Sequence, residues 1–237
     1  MGRSGIVRFL HTAAGILSYP QDPRSFAQLF GALSSAHYTR GRITRIHRET
    51  PDTVTAFFTA GDGWIPHRAG QWARIGVEVD GKRIWRPYSL SAPEHGDPSI
   101  TVRAQGTVSE HLVHRAAPGD VLYLERPEGQ FILPEMPTEL LFMVAGSGIT
   151  PVMSILKTAL ASSSVPVVFF YANRSVDDVI FSTELDELVG ANADRLTVVH
   201  WLETDKGLPT DAALAEIFSP YVGHTAYMCG PGHFMDA

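Results

Sequence analysis

The chain has 237 residues, 44% of them hydrophobic and only 19% charged, enough for two small domains with sizeable cores. A net charge of −6 with no basic run argues against a nucleic-acid partner, and no stretch of 18 apolar residues is present to span a membrane. A single cysteine excludes a disulfide framework and a four-thiolate iron–sulfur cluster within these residues, and makes a reducing, cytoplasmic setting the expectation.

Residues 1–37 hold two apolar clusters, Ile6, Val7, Phe9, Leu10, Ile16 and Leu17, then Phe26, Leu29, Phe30 and Leu33. The second has helical spacing, so this stretch is read as a helical arm packed on the body. A membrane-surface or partner-facing arm is the alternative, disfavoured by a polar face poor in Lys and Arg. From 38 to 134 the pattern is short strands cut by turns: Gly41–Arg48, Val54–Thr59, Trp72–Val79, Lys82–Ser89, Ile100–Ala104 and Val121–Glu125. Asp80-Gly81 marks a hairpin, and this strand spacing predicts a small antiparallel barrel. One helix, Ser109–Arg115, interrupts it, with a hydroxyl at the N-cap position.

Pro134 and Pro137 bracket a linker, after which the rhythm alternates strand and helix. Leu140–Ala145, Val165–Ala172, Leu196–Leu202 and Thr225–Cys229 read as strands; Ile149–Ala161, Thr183–Val189 and Asp211–Phe218, capped by Thr210, read as helices. The continuous apolar runs are those of covered parallel strands, so residues 138–237 are expected to form a doubly wound α/β domain, with ligands at the carboxyl ends of its strands.

Chemistry concentrates in four places. Arg86-Pro87-Tyr88-Ser89 offers a guanidinium, a flat ring and a hydroxyl, with Arg86 and Tyr88 on one face of a strand and Ser89 on the other. A flavin uses such a set, although a strand with Tyr88 in a core and Arg86 in solvent reads the same. Gly106-Thr107-Val108-Ser109 precedes a helix whose first N–H groups suit a diphosphate, or is a plain serine cap. Gly146-Ser147-Gly148-Ile149-Thr150-Pro151 follows a buried strand and opens a helix; it lacks the third glycine of the dinucleotide fingerprint, but its glycines would let backbone approach a pyrophosphate. Cys229-Gly230-Pro231-Gly232 ends the last strand. Between them, Arg174 and Ser175 end the second α/β strand, where a 2′-phosphate is read, and no acid appears until Asp177 and Asp178. A solvated Arg174 is the plain alternative.

With Pro127-Glu128-Gly129-Gln130-Phe131, these motifs in this order resemble the ferredoxin–NADP⁺ reductase superfamily from Tyr38 to Ala237. The likeness is greatest to actinobacterial-type reductases that serve iron–sulfur centres and fatty-acyl desaturases. The resemblance implies an FAD-binding Greek-key barrel over 38–134 and an NAD(P)-binding domain over 138–237. Arg86, Pro87, Tyr88, Ser89, Val102, Arg103, Gly106, Val108 and Ser109 would line the FAD site. Gly146, Gly148, Thr150, Arg174, Ser175, Cys229, Gly230 and Pro231 would hold the nicotinamide nucleotide, with NADPH preferred to NADH. Tyr88, Ser89 and Cys229 would lie nearest the reacting atoms, the cysteine ordering the site and not attacking. Hydride would pass from NAD(P)H to FAD, and electrons singly to an iron–sulfur protein or ferredoxin. Two alternatives are the reductase component of a ring-hydroxylating or other oxygenase, and a flavin-binding electron-transfer subunit that does not oxidise nicotinamide. The family continues past a Phe234-Met235 helix start with a further strand, and its actinobacterial-type members with a ferredoxin-like domain, so an incomplete α/β domain is expected here.

Overall fold

The computed structural model describes residues 38–134 and 138–235; the helical arm expected over 1–37 lies outside them. The first unit is built of β1 (Thr39–Thr50), β2 (Thr53–Ala60), β3 (Trp72–Val79), β4 (Lys82–Ser89), β5 (Ser99–Arg103) and β6 (Val121–Leu124), in one antiparallel sheet of order β4-β3-β6-β1-β2-β5. The two edges meet where Leu90 bridges Ile100 and the Ser91 N–H donates to the Ser99 carbonyl at 2.9 Å, so the sheet closes into the expected barrel. Alternation along the strands turns Ile43, Phe58, Ile75 and Leu122 inward, each about 1% exposed or less. Asp80 and Gly81 take positive φ of 50° and 73°, as a two-residue hairpin between β3 and β4 requires.

Helix α1 spans Thr107–His114 and buries Val108, Leu112 and Val113 against the barrel, packing on β3, β4 and β5. It starts two residues before the expected position. Gly106 is fully extended and serves as the N-cap without any side-chain hydrogen bond, which leaves Ser109 in the first turn and not at the cap.

The second unit carries β7 (Leu140–Ala145), α2 (Ile149–Ser162), β8 (Val167–Asn173), α3 (Ser182–Ala191), β9 (Leu196–Leu202), α4 (Glu203–Lys206), α5 (Asp211–Phe218), β10 (Thr225–Cys229) and α6 (Gly232–Met235). Its sheet is parallel, of order β10-β7-β8-β9. Every residue of β8 is buried, as befits a central strand covered on both faces. The Thr210 hydroxyl accepts the Ala213 N–H at 3.3 Å and caps α5. Strand β8 runs one residue further than expected, which puts Asn173 at its carboxyl end.

The two units meet along α2. The Ser154 hydroxyl donates to the Ala92 carbonyl at 2.5 Å and accepts the Gly70 N–H at 3.3 Å, while Thr158 accepts the Glu94 N–H at 2.9 Å. The Tyr227 hydroxyl donates to the Ile132 carbonyl at 2.7 Å. Ala92 lies three residues beyond the end of β4, so this seam fixes the Arg86–Ser89 segment beside the α/β unit.

Candidate functional site

On edge strand β4, Arg86 pairs with Ile75 and Tyr88 with Ala73, both on the concave side of the barrel, while Ser89 pairs with Trp72 on the other face. An edge strand tolerates Pro87, whose missing N–H interrupts no ladder. Arg86 is exposed and spends one N–H on the Trp85 carbonyl at 2.8 Å, leaving other donors of its fork for an anion. Tyr88 is half-buried against the barrel core; burial pushes its hydroxyl up to about 12, against a small opposing pull from Arg86. The ring stays a neutral phenol at working pH and offers one face to a planar partner.

Helix α1 packs on the same strands, and its first N–H groups have no capping side chain. A Cβ on exposed Gly106 would meet nothing within 4 Å, so the approach to that helix end is open to a bulky anion. Arg86, Tyr88 and the α1 N-terminus therefore fit an FAD. The structure turns the side chains of three expected residues away from the open surface. Val102 is 1% exposed and points into the barrel core, because it alternates with Arg103 along β5. Val108 is equally buried, on the core side of α1. Ser109 is 8% exposed, and its hydroxyl donates to the Gly106 carbonyl and accepts the Gln105 N–H, each at 3.0 Å. It holds the turn in shape; the backbone of that turn is what faces outward.

At the carboxyl ends of β7, β8, β9 and β10 lies a cleft of about 400 Å³, bordered by Gly146, Asn173, Arg174, Glu203, Pro231 and, from the barrel, Arg103. Gly146 has φ +52° with open space around its Cβ position, so its backbone can approach a ligand closely. Gly148 serves differently: its φ is −60°, and a Cβ there would overlap the Cys229 carbonyl. Gly230 is equally confined, by Phe234 and Ala145. The two glycine turns are thus packed on one another to form the cleft floor. The Thr150 hydroxyl is turned back to the Ser147 carbonyl at 3.2 Å and does not face the cleft. Cys229 packs against the α/β core, and burial raises its thiol above the ordinary value, so it is a thiol and not a thiolate.

Asn173, absent from the sequence expectations, is 3% exposed and lines the cleft, with its side-chain amide beside the Tyr171 hydroxyl. A buried amide on the lining offers both donors and an acceptor, so the cleft fits a polar nucleotide better than an apolar guest. Its only signal in the sequence is its place at a parallel strand's carboxyl end, one residue beyond the expected strand.

Arg174 and Ser175 are at the cleft but already engaged. Arg174 Nη2 lies 2.5 Å from Asp178 Oδ1, and the Ser175 hydroxyl donates to Asp178 Oδ2 at 3.0 Å. Arg103 Nη2 reaches the same Oδ1 at 2.9 Å, while its Nε holds Asp52 Oδ2 at 2.7 Å. The first acids after Arg174 are Asp177 and Asp178, as expected, and the structure brings Asp178 within hydrogen-bond distance because a short 3₁₀ turn, Val176–Asp178, folds it back.

Comparison with known proteins agrees with this division. Residues 41–132 match the oxidoreductase FAD-binding domain family and residues 142–237 the oxidoreductase NAD-binding domain family. The chain is 38% identical over 213 residues to the ferredoxin reductase component of 3-ketosteroid-9-alpha-monooxygenase from Mycolicibacterium smegmatis, covering 85% of this chain and 60% of that one. It is 38% identical over 189 residues to an NADPH oxidoreductase of Mycobacterium tuberculosis, covering 76% and 50% respectively. The chain thus spans about half to three-fifths of the length of these relatives. Among solved structures it superposes on the FAD/NAD-binding domain of nitric oxide dioxygenase from Vibrio cholerae with a TM-score of 0.74 at 26% identity, covering 83% of this chain and 89% of that one. The chain carries the paired FAD-binding and NAD-binding domains of a ferredoxin–NADP⁺ reductase-like flavoprotein oxidoreductase.

Proposed function

We propose that this chain is the reductase of an oxygenase system, taking a hydride from NAD(P)H on FAD and releasing electrons to an iron–sulfur protein. The observation that carries it is the meeting, along one seam, of the Arg86–Ser89 strand and a cleft that presents the buried Asn173 amide. FAD, when bound, supplies the change from a two-electron to a one-electron carrier. The chain's own residues bind and orient. Arg86 and the α1 N-terminus would hold phosphate, Tyr88 would cover the flavin ring, and Ser89 would offer a hydroxyl at its edge. Gly146, Asn173 and the Gly230-Pro231 turn would receive the nucleotide, with Cys229 as neutral packing beside it.

Relatives named as reductase components favour an oxygenase over a fatty-acyl desaturase as the destination of the electrons. An acidic iron–sulfur carrier would find cations on the barrel, where β1 exposes Arg42, Arg45 and Arg48 in a chain that is acidic overall. Among the described residues no helix is long and apolar enough to cross a membrane. Steady-state reduction of ferricyanide by NADPH and NADH, with chromatography of the released flavin, tests the reading. Turnover with FAD bound is expected. An FMN peak would remove the diphosphate assignment at α1, and bound FAD without turnover would favour an electron-transfer subunit.

A further inference from the structure

One carboxylate links both domains at the mouth of the nucleotide cleft. Asp178 Oδ1 accepts from Arg103 of the barrel and from Arg174 of the α/β unit, and Oδ2 accepts from Ser175. Two guanidinium groups and a hydroxyl converging on one anion form the donor set that a phosphate also takes. All four residues stand at the cleft, three of them on its lining. Asp178 and Arg103 are mostly shielded, with side chains 19% and 18% exposed, whereas Arg174 at 64% reaches into solvent.

The segment bearing Asp178 is also tied to both domains. It ends at Phe181, which holds a left-handed φ of +60° although it carries a large side chain. The Phe181 N–H donates to Glu49 Oε2 of the barrel at 3.2 Å, and the Ile180 N–H donates to the Tyr171 hydroxyl at 3.3 Å. That hydroxyl in turn donates to the Gly146 carbonyl at 3.1 Å. A shift at Asp178 is therefore joined by hydrogen bonds to the glycine turn on the cleft floor and to the opposite domain.

We propose that Asp178 and a phosphate of the nicotinamide nucleotide are rival occupants of one anion corner formed by Arg103, Arg174 and Ser175. The carboxylate clips the domains together, and nucleotide binding exchanges it for a phosphate on the same donors. This rests on the cleft being the nucleotide site, and it makes Asp178 a specificity-determining residue that acts by occupying the corner. Because one anion replaces another, the exchange alters the number of ion pairs little. Phosphate binding should then depend only weakly on salt while the carboxylate is present.

The test is equilibrium binding of adenosine 2′,5′-bisphosphate and of ADP to the flavin-loaded chain, as wild type and as Asp178→Asn, over a range of salt concentrations. Asparagine keeps the shape and a hydrogen bond to Ser175 but removes the charge. It should tighten the phosphate ligand about tenfold, the worth of one charge-assisted hydrogen bond, and steepen its salt dependence. Tightening of the bisphosphate alone identifies the 2′-phosphate as the rival, and equal tightening of both ligands identifies the diphosphate. Asp178→Ser, which also lacks the charge, should behave alike and serves if asparagine impairs folding. Unchanged or weaker binding of both ligands in a variant that retains flavin and its circular dichroism would overturn the proposal. Failure of the nucleotide reading itself would show separately, as wild-type flavin that neither NADPH nor NADH reduces.

Discussion

The barrel and the α/β unit build their halves of the site by opposite means. In the barrel, the groups proposed to face the flavin are side chains on one strand, Arg86 and Tyr88 on β4. In the α/β unit the floor is backbone, two glycine turns pressed together, with the buried Asn173 amide on the lining. Their charges differ as well. Residues 38–134 hold twelve Lys and Arg against eleven Asp and Glu, whereas residues 138–237 hold four against twelve. A side-chain site loses affinity when one group is removed and keeps its fold; a backbone site fails when a group is added. An acidic domain that receives an anionic nucleotide must also concentrate its few cations, which is why Arg174 and the barrel's Arg103 meet at the cleft.

That contrast can be broken at Gly148. Gly148→Ala forces a methyl group into the Cys229 carbonyl, and should destabilise the α/β unit by about 2–3 kcal/mol and abolish nucleotide binding while flavin stays bound. Gly146→Ala, in open space but at positive φ, should cost only about 1 kcal/mol. Thermal unfolding of the two variants, side by side with flavin content, checks both; equal losses would mean that the turns are not packed as described.

On the barrel side, Tyr88→Ala should weaken flavin binding by about 1–3 kcal/mol with little loss of fold, and Tyr88→Phe should be nearly silent. Flavin titration of the apoprotein reads this, and unchanged affinity in the alanine variant would remove Tyr88 from the site. Arg174→Ala should have a smaller effect, lowering kcat/KM for NADPH by about tenfold and leaving NADH nearly untouched, because Asp178 already engages this guanidinium. Parallel losses with both nucleotides would assign Arg174 to the fold.

The smallest effect concerns pH. Burial works against the charge of Asp178 and Asp52, yet their hydrogen bonds, to Arg174, Ser175 and Arg103 for the first and to Thr50, Arg103 and Thr53 for the second, hold both carboxyls below the ordinary value. A carboxyl depressed in the folded state contributes stability that is complete above its unfolded value, about 3.9, and fades as pH falls through the folded one. Thermal stability should therefore be insensitive to these groups between about pH 5 and 8 and decline only in acid, less steeply in Asp178→Asn. A stability step near neutrality that vanished in that variant would contradict the assignment.

Much of the fold was legible because its signals are local. Alternation, the Asp80-Gly81 hairpin and the apolar runs of β7 and β8 each specify an element within a few residues. The strand that carries Arg86 and Tyr88 was legible for the same reason, since a side-chain motif is written in residue types. What escaped depends on how distant segments meet. Ser109 looked like a cap, but the helix began at Thr107 and turned its hydroxyl inward. Val102 and Arg103 were read together, and alternation sends them to opposite sides of the sheet. Gly148 was legible as a glycine needed at a turn, but the approach of Cys229, eighty-one residues away, which leaves no room for a Cβ, was not. Asp178 lies four residues from Arg174 in sequence, but its bond to Arg103 appears only once the domains are docked.

The account rests on one claim above the others, that nucleotide held at the α/β cleft reaches flavin held on the barrel. Anaerobic stopped-flow mixing of the FAD-loaded chain with NADPH or NADH tests it directly. The account predicts that the oxidised-flavin absorbance band disappears in a saturable, nucleotide-dependent phase, and that Gly148→Ala abolishes this phase while keeping its flavin. A chain that binds FAD and nucleotide yet shows no bleaching with either NADPH or NADH would contradict it.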